Sequence, residues 1–320
     1  MSLLSVKQLS VSFNMAGKNV RVVDSLSFDI NESEILGVVG ESGSGKSMTA
    51  LSIMGILPDS AKSGGQIVFK GQELGSLNSE RRRALRGNAI SMVFQEPMTS
   101  LNPVLTIGYQ IAEVLTTHKG MSVREANKRA VELLKEVKIP SAEQRAKDYP
   151  HQMSGGMRQR VMIAMAIACK PELLIADEPT TALDVTIAAQ ILNLIHAIKE
   201  EKNMSVMLIT HDLAIVSEHT DRVAIMYAGG LVELAKTEEL FAKPLHPYTI
   251  GLLNSIPGGK GDALESIPGT VPRADRLPAG CRFSDRCRFV LPKCRAEEPE
   301  LRDVGDGRLL RCIRNERLSL

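Results

Sequence analysis

Ile35-Leu36-Gly37-Val38-Val39-Gly40-Glu41-Ser42-Gly43-Ser44-Gly45-Lys46-Ser47 is the stretch that decides the fold. Its apolar part, Ile35, Leu36, Val38 and Val39, is long enough for a buried strand and too short for a helix. Gly40-x4-Gly45-Lys46-Ser47 then fits the phosphate-binding loop pattern at every fixed position. Leu51, Met54 and Leu57 follow at helical spacing until Pro58 stops them. The residue types suit the chemistry. Gly40, Gly43 and Gly45 let successive N–H groups turn toward phosphate oxygens, and the helix beginning near Gly45 adds its positive end. Lys46 supplies a mobile charge for the β- and γ-phosphates, and the Ser47 hydroxyl suits Mg²⁺. A glycine-rich turn that binds nothing is the plainer alternative, but it does not explain a complete match set between a strand and a helix.

Working outward, 320 residues allow about two domains. A hydrophobic content of 43% with 24% charged residues is that of an ordinary globular chain. The net charge of +2 gives no nucleic-acid or membrane-surface footprint. Trp is absent, so the core is expected to be aliphatic, helped by 14 Met. The longest apolar run, 161–169, fits a buried helix and falls short of a membrane span. The N-terminus lacks a signal-peptide pattern, so a cytosolic location is expected.

Before the loop, residues 3–13 and 20–30 read as strands joined by a hairpin turn at Gly17-Lys18-Asn19. Phe13 closes the first strand, and spacing alone makes it a packing aromatic. After the loop, Ser63-Gly64-Gly65 leads into a strand at 67–69, and an Arg-rich helix covers about 79–86. The run 90–94 is a strand ending at Gln95. Helices follow over 106–137, with Ser122-x-x-Glu125 as a capping box. Residues 173–177 form a strand, and Asp184 caps a helix with Ile187, Ile191, Leu194, Ile195 and Ile198 on one face. The strand 205–210 delivers His211, two more strands follow, and a short helix covers 246–255. A composition shift toward Pro and Gly places a boundary near residue 256.

Asp177 ends an apolar strand, where a carboxylate suits a Mg²⁺ shell. Glu178 faces the other way and suits polarisation of a water for attack on the γ-phosphate. Gln95 and His211 each follow an apolar strand; ligands of open α/β sheets gather at such carboxyl ends. A lone Gln or His is weak evidence, and their common placement strengthens it. In Met153-Ser154-Gly155-Gly156-Met157, a serine and two glycines at a helix start form a second anion cradle, beyond an ordinary Ser N-cap. One nucleotide loop plus a separate cradle suggests that the second serves a partner's nucleotide.

With these motifs in order, residues 1 to about 256 resemble the ATP-binding subunit of an ABC transporter. The matching parts are a Walker A loop (40–47), a Q-loop (Gln95), the Ser154-Gly155-Gly156 signature, a Walker B strand ending at Asp177, Glu178, a D-loop (Ala182-Leu183-Asp184) and a His switch (His211). The stretches 94–103, 176–184 and His246-Pro247-Tyr248-Thr249 are similar to the oligopeptide, dipeptide and nickel importer branch, in particular its dipeptide-permease D type. The resemblance implies an α/β P-loop NTPase (RecA-like) core with an antiparallel β subdomain and a helical subdomain at about 98–165. A small loop-rich region follows at 257–320.

The resemblance further implies ATP binding by Phe13 (on the base), Gly40, Glu41, Ser42, Gly43, Ser44, Gly45, Lys46, Ser47 and Met48. It implies Mg²⁺ on Ser47, Gln95 and Asp177, and catalysis by Glu178, His211 and Gln95. Ser154, Gly155, Gly156 and Met157 would serve the partner's nucleotide in a head-to-tail dimer, with Asp184 in the D-loop. The implied partners are a second homologous ATPase subunit (a heterodimer), two membrane permease subunits contacted after Gln95, and, indirectly, an extracytoplasmic solute-binding protein. The implied place is the cytoplasmic face of the inner membrane, peripherally, and the cargo is di- or oligopeptides, with nickel or another small solute as the alternative. Met153 and Met157 depart from the usual Leu and Gln, and Thr181 from Ser; neither change removes a catalytic group.

Cys281-x5-Cys287-x6-Cys294-x17-Cys312 gathers four of the five cysteines in the last 40 residues. Four thiolates suit a tetrahedral Zn²⁺ or a 4Fe–4S cluster, and spacing alone leaves both open. Arg282, Arg286, Arg288 and Arg295 are placed to offset the charge of either. The pattern Gly280-Cys281-x-Phe283-x-x-Arg286-Cys287 resembles an importer region carrying a 4Fe–4S cluster, which favours iron–sulfur. Cys169, in an apolar run, reads as core. A soluble ABC-type ATPase acting on nucleic acid is the competing class. The interval 47–154 shows no sustained heptads, and the near-neutral charge gives that reading no support.

Overall fold

The computed structural model describes residues 2–15, 17–96, 100–181, 183–255 and 266–314. The expected linker around 256–265, Pro97-Met98-Thr99 after the Q-loop and Ala182 of the D-loop lie outside the described residues. The described chain divides into two compact units, residues up to 75 with 208–314, and 76–207.

In the first unit, β1 (Ser2–Met15) and β2 (Lys18–Asn31) form the expected hairpin around Gly17, with Val11 opposite Val23 and Phe13 opposite Val20. β4 (Ala61–Phe69) lies on the other side of β1, and β5 (Gln72–Glu73) extends the sheet in the order β2-β1-β4-β5. Ser63, Gly64 and Gly65 are therefore inside the strand and do not merely lead into it. The reason is a bulge opposite Gln8: a Cβ on Gly65 would stand 2.4 Å from the Gln8 carbonyl, so a glycine lets the strand continue there.

β3 (Ile35–Val39), buried at every residue, pairs in parallel with β9 (Arg222–Tyr227). β10 (Gly230–Lys236) continues antiparallel, followed by two short strands, β12 (Leu309–Leu310) and β11 (Arg302–Asp303). Continuous apolar sequence in β3 and β9 is what a strand covered on both faces demands. α1 (Lys46–Met54) follows β3. The remaining helices of this unit are α8 (Leu213–His219), α9 (Thr237–Ala242), α10 (Pro247–Asn254) and α11 (Pro292–Ala296). The four-cysteine segment belongs to this unit: Phe283 packs into the cluster formed by Val39, Ile225, Tyr227, Leu240 and Tyr248. Glu233 on β10 is fully buried and accepts N–H bonds from Leu245 and His246 together with the guanidinium of Arg308.

The second unit holds the parallel pair β6 (Ile90–Val93) and β7 (Leu173–Asp177). Its helices are α2 (Ser79–Leu85), α3 (Ile107–Lys119), α4 (Val123–Glu136), α5 (Ala142–Arg145), α6 (Gly155–Ile167) and α7 (Val185–Lys202). The chain passes from this unit to the first within β8 (Ser205–Thr210). Ile107, Ile111, Leu115, Ala126, Ala130, Leu133, Leu134, Val161 and Ile163 make an aliphatic helical core, each almost fully buried. The capping box is present in full: Ser122 Oγ accepts from the Glu125 N–H, and Glu125 returns to the Ser122 N–H. Glu136 accepts from Arg129 and Lys202, which ties α4 to α7.

Removing Arg308 strands a buried carboxylate. Arg308→Met is expected to cost about 3 kcal/mol in urea unfolding, and Glu233→Gln added to it should recover most of that loss. Equal stability of the single and double variants would contradict the assignment.

Candidate active site

In the first unit the phosphate loop leaves β3 and rests directly on the end of β9. A Cβ on Gly40 would lie 2.2 Å from the Met226 carbonyl oxygen, so this position has room for glycine alone. Gly43 and Gly45 take left-handed conformations, φ 79° and 99°, and Gly45 caps α1. Lys46 is buried and donates to the carbonyls of Gly40 at 2.6 Å and Glu41 at 3.1 Å. Behind the loop, the Ser44 carbonyl accepts from Gly229 N–H. Ser42 and Gly43 are exposed, and Ser47 and Met48 lie half-buried in the first turn of α1. Phe13 is half-buried on β1 between Val20 and Ala61. His211 is exposed directly after β8, and the neighbouring Asp212 accepts from Ala214 and Ile215 N–H to start α8.

In the second unit Asp177 closes β7 and is buried. Glu178 follows in a left-handed conformation, φ 46°, which costs a side-chain-bearing residue about 1–2 kcal/mol. Two donors hold it there: Gln95 Nε2 at 3.0 Å and Thr181 Oγ1 at 2.9 Å, both to the same carboxylate oxygen. Gln95 and Glu178, 83 residues apart in the chain, are thus brought together. At the start of α6, Ser154 Oγ accepts from the Met157 N–H, while Ser154 and Gly155 stay exposed. Gly156 has a packing duty as well, since a Cβ there would meet Ile187 Cγ2 at 2.8 Å. Asp184 caps α7 through Ile187 N–H at 2.9 Å.

The tail supplies contacts that spacing did not reveal. Arg286 donates to both oxygens of Glu41, at 2.7 and 3.1 Å. Arg282 donates to Asp24, Glu298 and the Ala228 carbonyl. Arg295 pairs with Asp285, and Arg288 lies 5.5 Å over the Phe289 ring. Three of the four arginines expected to balance a metal centre therefore have carboxylate partners of their own. Burial alone would lower the Arg286 pKa, but hydrogen bonds to Glu41 and Tyr227 outweigh it and hold it above its ordinary value.

All four thiols, Cys281, Cys287, Cys294 and Cys312, line one small apolar cavity with Phe283 and Phe289. Cys294 Sγ accepts from the Leu291 N–H at 3.4 Å. Burial pushes Cys281 up to about 11 and raises Cys287 and Cys312 as well, with the neighbouring thiols adding to the effect. Among the described residues, no three His, Cys, Asp or Glu side chains are arranged to hold a single metal ion. Cys169 is buried against the Val114 carbonyl, as a core residue.

A strand–loop–helix phosphate cradle, a strand ending in a buried aspartate followed by a pinned glutamate, and a serine–diglycine helix start define an ABC-type P-loop ATPase. Comparison with known proteins agrees. The ABC transporter family matches residues 23–181, and the oligopeptide/dipeptide transporter C-terminal region matches residues 232–294. The oligopeptide transport ATP-binding protein AppD of Bacillus subtilis is 52% identical over 98% of this chain and 96% of its own length. OppD of Escherichia coli, of the same description, is 48% identical over 98% and 93%. A dimeric post-hydrolysis structure of the ATP-binding cassette MJ0796 bound to ADP and Pi superposes with a TM-score of 0.66 at 28% identity. It covers 73% of this chain and 98% of that one. The chain belongs to the family of ATP-binding subunits of oligopeptide and dipeptide ABC transporters.

Because Gly40 abuts a backbone carbonyl, Gly40→Ala displaces the loop. Nucleotide affinity should fall at least about tenfold in a fluorescent-nucleotide titration; wild-type affinity would show that the loop has slack at this point.

Proposed function

We propose that this chain hydrolyses ATP to drive import of di- or oligopeptides, as one of two ATPase subunits beneath a pair of membrane permeases. The observation that carries the reading is near-full-length similarity to oligopeptide transport ATP-binding proteins. On this reading Lys46 and the loop N–H groups hold the β- and γ-phosphates, and Phe13 stacks on the base. The family resemblance assigns Mg²⁺ to Ser47, Gln95 and Asp177; a hydroxyl, an amide and a carboxylate would offer the hard oxygen ligands this ion takes. When bound, the ion neutralises charge building on the phosphates. Glu178 accepts a proton from the attacking water. Its strained backbone and two donors aim the carboxylate, which is what a general base requires. His211 contacts the γ-phosphate from the end of β8.

Ser154, Gly155, Gly156 and Met157 serve the nucleotide of a partner in a head-to-tail dimer, and Asp184 meets that partner. The exposure of Ser154 and Gly155 at a helix start supports this role. The partner is a second homologous ATPase subunit, so each pocket is shared. Residues after Gln95 receive the permease subunits, an extracytoplasmic protein delivers the solute, and the chain sits peripherally on the cytoplasmic face of the membrane. Among the described residues no helix is long and apolar enough to cross it. Residues 1–256 carry nucleotide and partner contacts, and 257–320 carry the thiol centre.

For the thiols, the likeness of the Gly280-Cys281-x-Phe283-x-x-Arg286-Cys287 pattern to an importer region carrying a 4Fe–4S cluster favours iron–sulfur over Zn²⁺. All four cysteines line one small cavity, so one centre held by four thiolates is consistent with their placement. The centre would staple the loop-rich tail.

Glu178→Gln should abolish turnover of the assembled transporter and trap an ATP-bound dimer by size-exclusion chromatography; unchanged turnover would remove Glu178 as the base. Anaerobic purification with native partners should give a broad visible absorbance and about four iron per chain. Cys281→Ser should lose the iron and lower the thermal midpoint. Unaltered iron content, or zinc in place of iron, would refute the assignment.

A further inference from the structure

Glu41 is the first residue of the phosphate loop after Gly40, and a carboxylate there is an electrostatic liability beside a triphosphate. The structure removes that liability from a distance of 245 residues. Arg286, with its side chain 6% exposed, grips both Glu41 oxygens at 2.7 and 3.1 Å. It also donates to the Pro268 carbonyl at 2.8 Å and, more weakly, to the Tyr227 hydroxyl at 3.4 Å and the carbonyls of Gly269 and Ile267 at 3.4 and 3.5 Å. The guanidinium also stands over the Tyr227 ring. The Glu41 N–H donates to the hydroxyl of Tyr248, a fully buried residue of the His-Pro-Tyr-Thr stretch. Backbone and side chain of Glu41 are therefore both held by parts of the chain beyond β10. Lys46 meanwhile bonds the Glu41 carbonyl at 3.1 Å. A carboxylate released on the same residue would compete with phosphate for that ammonium and repel the ligand.

We propose that Arg286 is a positioning residue for ATP: by neutralising and turning away the Glu41 carboxylate, it sets the affinity of the phosphate loop, so the four-cysteine segment forms the outer wall of the nucleotide site. This rests on the ATP-binding reading above. Arg286 touches no reacting atom; it acts through Glu41.

The test uses the full-length chain and trinitrophenyl-ATP titration, with iron content and thermal midpoint measured on each variant. The wild type should bind the probe and Lys46→Ala should not. A wild-type chain that binds no nucleotide overturns the functional reading and this inference with it. Given wild-type binding, Arg286→Gln should weaken affinity roughly tenfold, and Glu41→Gln in the same chain should recover most of the loss, because the unmasked charge is gone. Asp285→Asn, which removes an exposed ion pair in the same segment, should leave affinity unchanged. In the assembled transporter Arg286→Gln should raise KM for ATP with little change in kcat at saturation. If Arg286→Gln binds as the wild type does, or if the double variant binds no better than the single, the inference fails. The second outcome would reduce Arg286 to a folding contact, whatever the iron content.

Discussion

A phosphate cradle needs backbone N–H groups turned toward the ligand, and that leaves its carbonyls to be satisfied from behind at very close range. Here the Gly40 and Glu41 carbonyls are taken by Lys46 and the Ser44 carbonyl by Gly229. Gly40 presses on the end of β9 with no space for a side chain. The surroundings follow from this one constraint. The 228–229 turn must itself be left-handed, with Ala228 at φ 44° and Gly229 at φ 82°. It must also be anchored, and Arg282 does that by donating to the Ala228 carbonyl while pairing with Asp24 on β2. Loop, turn, hairpin and tail form one chain of support.

The second unit solves a different problem, that of aiming one carboxylate. Glu178 precedes a proline, which normally drives a residue toward extended geometry, yet it sits at a positive φ. Such strain persists only where neighbours over-determine it. Gln95 and Thr181 provide that determination from opposite directions along the chain, one at the end of β6 and one a turn further on. The hydroxyl of Thr181 is therefore more than a tolerated substitute for serine, since it holds the glutamate. Asp184 and Ser154 start their helices by the same kind of local bond, so both helix starts are fixed within this chain by itself.

How much of this was legible in the sequence depended on the range of the interaction. Phosphate loop, capping box, Asp184 cap and apolar strands are set by residues within a few positions of each other, and all were readable. Gly65 reads in the sequence as a lead-in, because a bulge opposite Gln8 is a property of two strands together. The pairing of Gln95 with Glu178 was half-readable, because both are strand-end residues of a recognisable kind. By position alone, Arg282 and Arg286 read as counter-charges for the thiols. Their partners, Asp24 and Glu41, lie 258 and 245 residues away, and no local signal marks them. The one available hint was chemical: a glutamate inside an anion-binding loop calls for a cation that the loop itself does not contain.

That hint bears on why an ATPase cassette would carry a loop-rich thiol segment at all. A tail with little secondary structure has few apolar contacts with which to fix two arginines against a loop. Arg282 follows Cys281 directly, and Arg286 precedes Cys287 directly. Four thiols lining one cavity, joined by a common centre, would be a compact way to fix those two positions without a large core. The aromatic contacts of Phe283 with Tyr227 and Tyr248, at 5.2 and 5.4 Å between ring centres, carry that rigidity into the sheet beneath the loop. Seen physically, the thiol segment has a use that requires no electron transfer: it orders the groups that keep a negative charge away from the nucleotide.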